Sequence, residues 1–272
     1  MSYWMVVFLA AIQGLTEFLP VSSSGHLAVL SAVFGIKSDV GLSLGIVLHA
    51  GSLLAIVVFY FKLLLGFFRK DQLHLLGMVV VGSIPAGVAG ILLKKSGLAD
   101  EMFGDMMSIA LAFLITAAVL RLTGKTKLIA QSDTELKDIT LRQTLTVGFA
   151  QMFAILPGIS RSGSTIASGI LSGVKFEAAA AFSFLLALPA IAGASLLEIV
   201  KLAKTGFNLE GLTPGHLAAG FAVSALVSFA ALTLLIQLIR KRKLAWFSGY
   251  LFLLGAGIMI WQIVMMIRGM KG

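Results

Sequence analysis

Two interrupted stretches of this sequence place ionisable and hydroxyl side chains inside apolar surroundings. The first reads QGLTEFLPVSSSGHLAVL and covers residues 13–30; its reactive or helix-breaking residues include Glu17, Pro20, Ser22, Ser23, Ser24 and His26. A carboxylate can bind a hard cation or take a proton, and histidine is the usual acid–base group near neutral pH. A serine beside such a base is a candidate nucleophile. The stretch therefore has the residue types for acid–base and nucleophilic chemistry.

The second stretch, FAILPGISRSGSTIASGI, covers residues 153–170 and surrounds a cation with hydroxyl groups and glycines. Its polar and conformationally special residues include Pro157, Gly158, Ser160, Arg161, Ser162, Gly163, Ser164 and Thr165. A helix that begins after a break presents free N–H groups and the positive end of its dipole, and serines there cap the helix or donate to an anion. The planar guanidinium fork suits phosphate. This stretch predicts a phosphate cradle.

A purely structural interpretation remains open for these residues. Glu17 and Arg161 could simply neutralise each other, with serines bonded to helix carbonyls and glycines allowing close helix packing. We favour the functional interpretation because ionisable groups within a membrane are functional by default, and because an ion pair explains neither His26 nor the crowd of hydroxyls. His49, inside an apolar run, is interpreted as a helix-packing histidine.

The composition indicates what kind of element positions these groups. The chain has 272 residues, of which 58% are hydrophobic and 12% charged, with a mean hydropathy of +1.01. Soluble domains carry about 25% charged residues, and about 20 apolar residues cross a bilayer. The sequence therefore predicts a polytopic helical membrane protein. Its net charge of +9 is attributed to loop residues that set orientation and contact lipid headgroups, which argues against a nucleic-acid partner.

Apolar periodicity predicts full spans at about 42–61, 75–93, 105–121, 177–200, 216–239 and 244–267. Two further apolar regions, 1–35 and 140–174, are each broken in the middle by Pro, Gly and Ser. Irregular backbone at membrane depth is tolerated only where protein or a water-filled cavity covers it. These two regions are therefore predicted to be re-entrant helical hairpins.

An offset of 138 residues relates the two halves. It pairs Gln13 with Gln151, Ser22 with Ser160, Ser24 with Ser162, and Gly25 with Gly163. Each half holds one broken hairpin and three spans, and an odd number of crossings turns the second half upside down. The predicted fold is an all-α polytopic membrane protein with six transmembrane helices plus two re-entrant broken-helix hairpins arranged as an inverted repeat.

We predict a single integral membrane domain over 1–272. Repeat 1 covers about 1–124, repeat 2 about 139–268, and a polar connector about 121–142 joins them. Thirteen Lys and Arg residues fall on one side of the predicted spans and seven on the other. The positive-inside rule places the richer side in the cytoplasm and both termini outside.

At these residues the chain resembles the undecaprenyl-pyrophosphate phosphatase family, also called the bacitracin-resistance protein family. One family signature is an acid or glutamine, three residues, then glutamate, which stands here as Gln13 and Glu17 and continues into FLPVSSSGH, ending at His26. The other signature is longer and more specific, and stands here as Pro157, Gly158, Ser160, Arg161, Ser162 and Thr165. The resemblance extends over nearly the whole chain.

The resemblance implies hydrolysis of undecaprenyl pyrophosphate to undecaprenyl phosphate and inorganic phosphate. That reaction recycles the lipid carrier of cell-wall synthesis and confers bacitracin resistance. The resemblance also implies a divalent cation, Mg²⁺ or Ca²⁺, and a site in the bacterial plasma membrane that opens toward the periplasm or cell exterior.

Carried over by position, Glu17 is a metal or acid–base residue, His26 the catalytic histidine, and Ser23 the candidate nucleophile. Arg161 is expected to hold the diphosphate, together with the binding residues Ser22, Ser24, Gly158, Ser160, Ser162 and Thr165. Gln13 departs from many relatives, which have glutamate there. Because it offers only a neutral carbonyl oxygen, we expect weaker cation binding or a different ligand set.

A transporter is the rival class, because inverted repeats with paired broken helices are typical of secondary carriers. A flippase of a polyprenyl phosphate, or a carrier of another anion, would need Arg161 and the cradle but no serine–histidine pair. A lipid-binding accessory protein without turnover is a third reading. The sequence leaves the oligomeric state open, and a homodimer is compatible with it.

Overall fold

The computed structural model describes residues 1–36, 38–67, 69, 72–96, 105–124, 133–206, 209 and 211–269, which are helical with short connections and contain no strand. The helices are α1 (Tyr3–Phe18), α2 (Ser23–Phe34), α3 (Ser38–Phe59), α4 (Phe61–Gly66), α5 (Leu73–Ser96), α6 (Met106–Leu122), α7 (Leu141–Phe153), α8 (Arg161–Leu171), α9 (Phe176–Thr205), α10 (Pro214–Arg240) and α11 (Trp246–Ile267), with a 3₁₀ turn at Leu136–Asp138.

Several of these helices are suited to crossing a membrane. Among the described residues, α3, α5, α9, α10 and α11 are long and apolar enough to span a bilayer. The predicted span at 105–121 corresponds to α6, an apolar helix of 17 residues that is shorter than these five. Large apolar side chains such as Leu226 and Leu253 are mostly exposed, which fits a surface that faces lipid. The chain is an all-α polytopic membrane protein.

Both predicted interruptions are present as breaks between helices. Residues 19–22 separate α1 from α2, and residues 154–160 separate α7 from α8. The helices that flank each break pack against one another. At the second break Gly158 has a φ of +88°, a left-handed conformation that favours glycine, and an added Cβ would lie 2.8 Å from that of Ala112.

Small residues let the helices around the breaks approach closely. Helix α10 packs along α1 and α3, and a Cβ on Gly14 of α1 would lie 2.8 Å from the carbonyl oxygen of Ser224 on α10. Helix α5 packs along α7 in the same manner, with the carbonyl oxygen of Gly82 2.6 Å from a Cβ built on Gly148. Such contacts are the usual means of holding membrane helices together.

Helix α6 joins the two broken regions. It packs along α11 and also contacts α2 and α8. Its residue Phe113 is fully buried, and a Cβ on Gly25 at the start of α2 would lie 2.6 Å from that ring. The same Cβ would lie 3.0 Å from the Cα of Gly158 in the second break. The two breaks therefore meet in the interior of the protein, beside α6.

Candidate active site

The two helices that leave the breaks begin with the same capping arrangement. Ser22 caps α2, its hydroxyl accepting from the backbone N–H of Gly25 at 3.3 Å, and Ser160 caps α8 by accepting from Gly163 at 3.0 Å. Each capping hydroxyl lies 3.3 Å from the hydroxyl of the serine two residues later, Ser24 or Ser162. Both helix N-termini, with their partial positive charge, therefore start at the meeting point of the breaks.

A buried ion pair connects the two breaks. Arg161 at the start of α8 donates through Nη2 to Glu17 Oε1 at 2.7 Å, and the side chains are 15% and 6% exposed. The other terminal nitrogen of Arg161, Nη1, is buried and has no hydrogen-bond partner among the described residues. A buried donor without an acceptor costs free energy, so this nitrogen is ready to receive an anionic oxygen.

The second oxygen of Glu17 faces the candidate nucleophile. Oε2 accepts from Ser23 Oγ at 2.7 Å and from Gln13 Nε2 at 2.9 Å. The hydroxyl of Ser23 thus donates directly to a carboxylate, which is the contact that a nucleophile and its general base require.

His26 is held away from Ser23. Its Nδ1 donates to the carbonyl oxygen of Ser22 at 2.8 Å, and its Nε2 lies 2.7 Å from the hydroxyl of Tyr250 on α11. The ring also lies edge-on against Phe113, with centroids 5.4 Å apart. Sequence reasoning paired Ser23 with either His26 or Glu17, and this structure pairs it with Glu17. His26 stays one helical turn further along α2, three residues from Ser23.

A cavity of about 260 Å³, including its mouth, opens between the breaks. It is lined by Thr16, Glu17, Ser22, Ser23, Ser24, Ala154, Ile159, Ser160 and Arg161. Most of the residues expected to contact substrate therefore share one polar cavity. Hydroxyl and charged groups from both breaks, together with two helix N-termini, suit an anion with several oxygens, such as a diphosphate.

Three of the predicted substrate-binding residues bind neighbouring protein groups instead. Ser162 donates to the carbonyl of Leu19 at 3.1 Å, and Thr165 donates to the carbonyl of Arg161 at 2.7 Å. The backbone N–H of Gly158 reaches Ser24 Oγ at 3.5 Å. These contacts fix the geometry of the two breaks, so the three residues stand behind the cavity rather than on its wall.

Gln13 and Glu17 are the residues that fit a divalent cation. They lie four residues apart on α1, and the amide oxygen of Gln13 is buried without a hydrogen-bond partner among the described residues. Carboxylate and amide oxygens are ligands that Mg²⁺ and Ca²⁺ accept. Within the described part of the chain no group of three or more His, Cys, Asp and Glu residues could hold a metal. The donor set is therefore sparse and depends on oxygens that a substrate would add.

Sequence reasoning missed two residues of this region. His49 on α3 was interpreted as a packing residue, and its Nε2 lies 3.6 Å from Glu17 Oε2. Tyr250 was counted within an ordinary span, and it contacts His26. Both side chains place polar groups in apolar helices, which could have marked them as candidates. Their partners depend on how α3 and α11 pack, and spacing along the chain does not contain that information.

Comparison with known proteins gives a consistent result. Residues 6–257 match the family described as "Bacitracin resistance protein BacA". A protein named "Undecaprenyl-diphosphatase" from Halothermothrix orenii is 38% identical over 262 residues, which cover 96% of this chain and 98% of that relative. Proteins of the same name are 35% identical in Carboxydothermus hydrogenoformans, covering 96% and 98%, and 36% identical in Bacteroides thetaiotaomicron, covering 97% and 100%.

Proposed function

The chain belongs to the bacitracin resistance protein BacA family, and from this premise we propose that it is a membrane-embedded undecaprenyl-diphosphatase. It hydrolyses undecaprenyl pyrophosphate to undecaprenyl phosphate and inorganic phosphate, which recycles the lipid carrier of cell-wall synthesis. A long prenyl tail stays in the bilayer while the diphosphate enters the cavity between the breaks. The apolar outer surface and the polar cavity of about 260 Å³ support this division.

The unpartnered Nη1 of Arg161 is the observation that carries the proposal. It is a buried cationic donor of a residue that lines the hydroxyl-rich cavity, beside a carboxylate that already occupies Nη2. A phosphate oxygen at Nη1 gives this donor its partner without breaking the ion pair. The N-terminus of α8 begins at the same residue and adds its dipole to the attraction for the anion.

In the chemical step, Ser23 Oγ attacks the terminal phosphorus in line with the bridging oxygen. The Oγ–P bond forms while the bond between phosphorus and the bridging oxygen breaks, and undecaprenyl phosphate leaves. The hydroxyl proton passes to Glu17 Oε2, to which Ser23 already donates at 2.7 Å. Arg161 stabilises the charge that spreads over the phosphoryl oxygens in the transition state.

Water then cleaves the phosphoserine. Its oxygen attacks phosphorus, one proton passes to Nε2 of His26, and the Ser23 oxygen recovers its proton from Glu17 as inorganic phosphate is released. His26 is three residues from Ser23 on α2, so the two side chains share one face of that helix. The ring returns its proton to the medium before the next turnover.

Glu17 and the amide oxygen of Gln13 would hold a divalent cation, Mg²⁺ or Ca²⁺. When bound, the cation neutralises charge on the diphosphate. The remaining ligands would be substrate oxygens and water, because the chain would supply one carboxylate and one neutral oxygen at this place.

The helix order supports an inverted repeat of six spans and two re-entrant hairpins. Three pairs of residues that begin helices are each separated by 138 residues: Tyr3 and Leu141, Ser23 and Arg161, and Ser38 and Phe176. Taken together, Lys and Arg residues are more numerous near the ends of α3, α6, α8 and α10 and the start of α11 than near the opposite ends of the helices. The positive-inside rule therefore places the ends that are richer in Lys and Arg in the cytoplasm. The first hairpin then enters from the outer side of the bacterial plasma membrane, and the site opens outward.

Phosphate release from undecaprenyl pyrophosphate by purified protein in detergent tests this function. We expect release that requires a divalent cation and stops with excess chelator, Ser23→Ala, or Arg161→Lys, which keeps the charge but loses the fork. Ser83→Ala on α5 is the matched control and keeps full activity, because the Ser83 hydroxyl donates to the carbonyl oxygen of Val79 in its own helix, outside the site. An inactive, folded wild-type protein that moves lipid phosphate across sealed vesicles would replace this function with transport.

A further inference from the structure

His26 is held from opposite sides by groups of two different helices. Its Nδ1 is 2.8 Å from the carbonyl oxygen of Ser22 on its own helix, and its Nε2 is 2.7 Å from the phenol oxygen of Tyr250 on α11. A carbonyl oxygen can only accept, so Nδ1 carries the hydrogen. In the neutral ring Nε2 is then the acceptor, and the Tyr250 hydroxyl donates to it. The Ser22 carbonyl therefore selects the tautomer, and the Tyr250 hydroxyl holds the lone pair of Nε2.

The surrounding structure keeps this arrangement rigid. The carbonyl of Ser22 is set by an unusual backbone conformation, with φ at +69°, which few residues other than glycine adopt. The planes of the Tyr250 and His26 rings are within 10° of parallel, with centroids 5.8 Å apart, and Phe113 of α6 covers another side of the imidazole. Because α6 and α11 pack along each other, Phe113 and Tyr250 are positioned as one unit.

We propose that Tyr250 is a positioning residue for His26 in the phosphatase reaction. Its hydroxyl holds the imidazole with the hydrogen on Nδ1 and the lone pair on Nε2, which is the nitrogen that takes the proton from water in the hydrolysis of phosphoserine. The incoming water replaces the phenol as the hydrogen-bond partner of Nε2. After the proton has left, the phenol hydroxyl donates to Nε2 again. This role rests on the proposed function.

The hydroxyl group, rather than the aromatic ring, carries the role. Tyr250 is 48% exposed, so its ring adds little to the packing of the core, and Phe at this position keeps the ring contact with His26. Removing the hydroxyl leaves Nε2 without its donor, so only the Ser22 carbonyl then holds the ring and the imidazole is free to turn. A residue that only packed would lose nothing on this substitution.

Nitrogen NMR of protein labelled at histidine tests the positioning directly. The chain has four histidines, so the His26 signals can be assigned by their loss in His26→Asn. In the wild type we expect a protonated Nδ1 and a hydrogen-bonded, unprotonated Nε2. In Tyr250→Phe the Nε2 signal moves toward that of a nitrogen that accepts no hydrogen bond. His26 signals that are identical in both proteins would overturn the proposal.

Kinetics supply the second measurement. Tyr250→Phe is expected to lower kcat roughly three- to tenfold, the loss that corresponds to one neutral hydrogen bond, with KM unchanged. Tyr3→Phe is the matched control, because Tyr3 is 49% exposed and its ring also lies against a histidine, His216, outside the site. It should alter neither kcat nor the His26 signals.

The two results separate this proposal from the function on which it rests. A change confined to KM, or an unchanged kcat, would overturn the positioning role while the phosphatase function stands. A folded wild-type protein without phosphatase activity would defeat the function. The nitrogen spectrum would then still decide whether Tyr250 donates to Nε2 of His26.

Discussion

Glu17 connects the two breaks with both of its oxygens. Oε1 accepts from Arg161 and so joins α1 to α8, while Oε2 accepts from Ser23 across the first break. In the proposed reaction this carboxylate has both a structural and a chemical role, because the same charge that neutralises the guanidinium also takes the proton of the hydroxyl. Its removal should therefore affect stability and turnover together.

We predict this double effect for Glu17→Gln. Activity should fall about 10²- to 10⁴-fold because the general base is lost, and the free energy of unfolding should fall by about 3–5 kcal/mol because Arg161 is left as a buried, unpaired charge. Phosphate release and thermal unfolding in detergent measure the two. Glu135→Gln removes an exposed partner of Lys175 and should change neither. Wild-type activity in Glu17→Gln would exclude it as the base.

The neutral side chain of Gln13 leads to a separate prediction. Gln13→Glu places a second carboxylate four residues before Glu17, so we expect tighter binding of Mg²⁺ or Ca²⁺. The concentration of cation that gives half-maximal activity should fall, and calorimetry on the protein without substrate should show stronger binding. Gln13→Asn, which keeps the amide but shortens it, serves as control and should weaken binding. Equal affinities in Gln13→Glu and the wild type would remove Gln13 from the ligand set.

At the scale of single residues, the sequence predicts candidate reactive groups but not all of their partners. Glu17, Ser23, His26 and Arg161 are candidates because polar groups in an apolar run require compensation. Whether Ser23 bonds to Glu17 or to His26 depends on the backbone between α1 and α2, which turns at Ser22. No pattern of residue types indicates a left-handed serine, since glycine is the residue expected there.

At the scale of elements, the start of α2 combines a helix cap with backbone strain. Ser22 accepts from Gly25 as a cap, and its φ of +69° is a conformation that a side chain with Cβ disfavours. Ser160 is the equivalent cap of α8 but has an ordinary φ of −75°. The two positions therefore share the capping role and differ in backbone strain, so each serves as a control for the other.

Substitutions at this pair should separate the two contributions. Alanine and glycine both remove the capping hydroxyl, but glycine also releases the strain at residue 22. We expect Ser22→Gly to have a higher free energy of unfolding than Ser22→Ala. This difference in the free energy of unfolding should be about 1 kcal/mol larger than the difference between Ser160→Gly and Ser160→Ala. Thermal unfolding of the four variants measures it. Equal differences at the two positions would show that Ser22 carries no strain.

At the scale of the whole molecule, the sequence predicted which segments are helical and where two of them break, but not which helices are neighbours. The spans follow from hydropathy, and the breaks from Pro, Gly and Ser, because both depend on local composition. The placement of Tyr250 beside His26 requires that α11 lie along α6, and that of His49 beside Glu17 requires that α3 lie near α1. Those contacts arise from small residues at helix surfaces, where many pairings are compatible with one sequence.

The proposed inverted repeat predicts opposite accessibility at equivalent positions. Ser2 and Thr140 are exposed, each caps the first helix of its half, and they are 138 residues apart. The natural chain has no cysteine, so each can be replaced singly without further changes. In intact cells an impermeant maleimide should label Ser2→Cys, but should label Thr140→Cys only after the membrane is opened. Lys241→Cys, in the basic segment after α10, should behave like Thr140→Cys. If Ser2→Cys and Thr140→Cys react from the same side, the two halves are not inverted, and the site would need another route to the outer face.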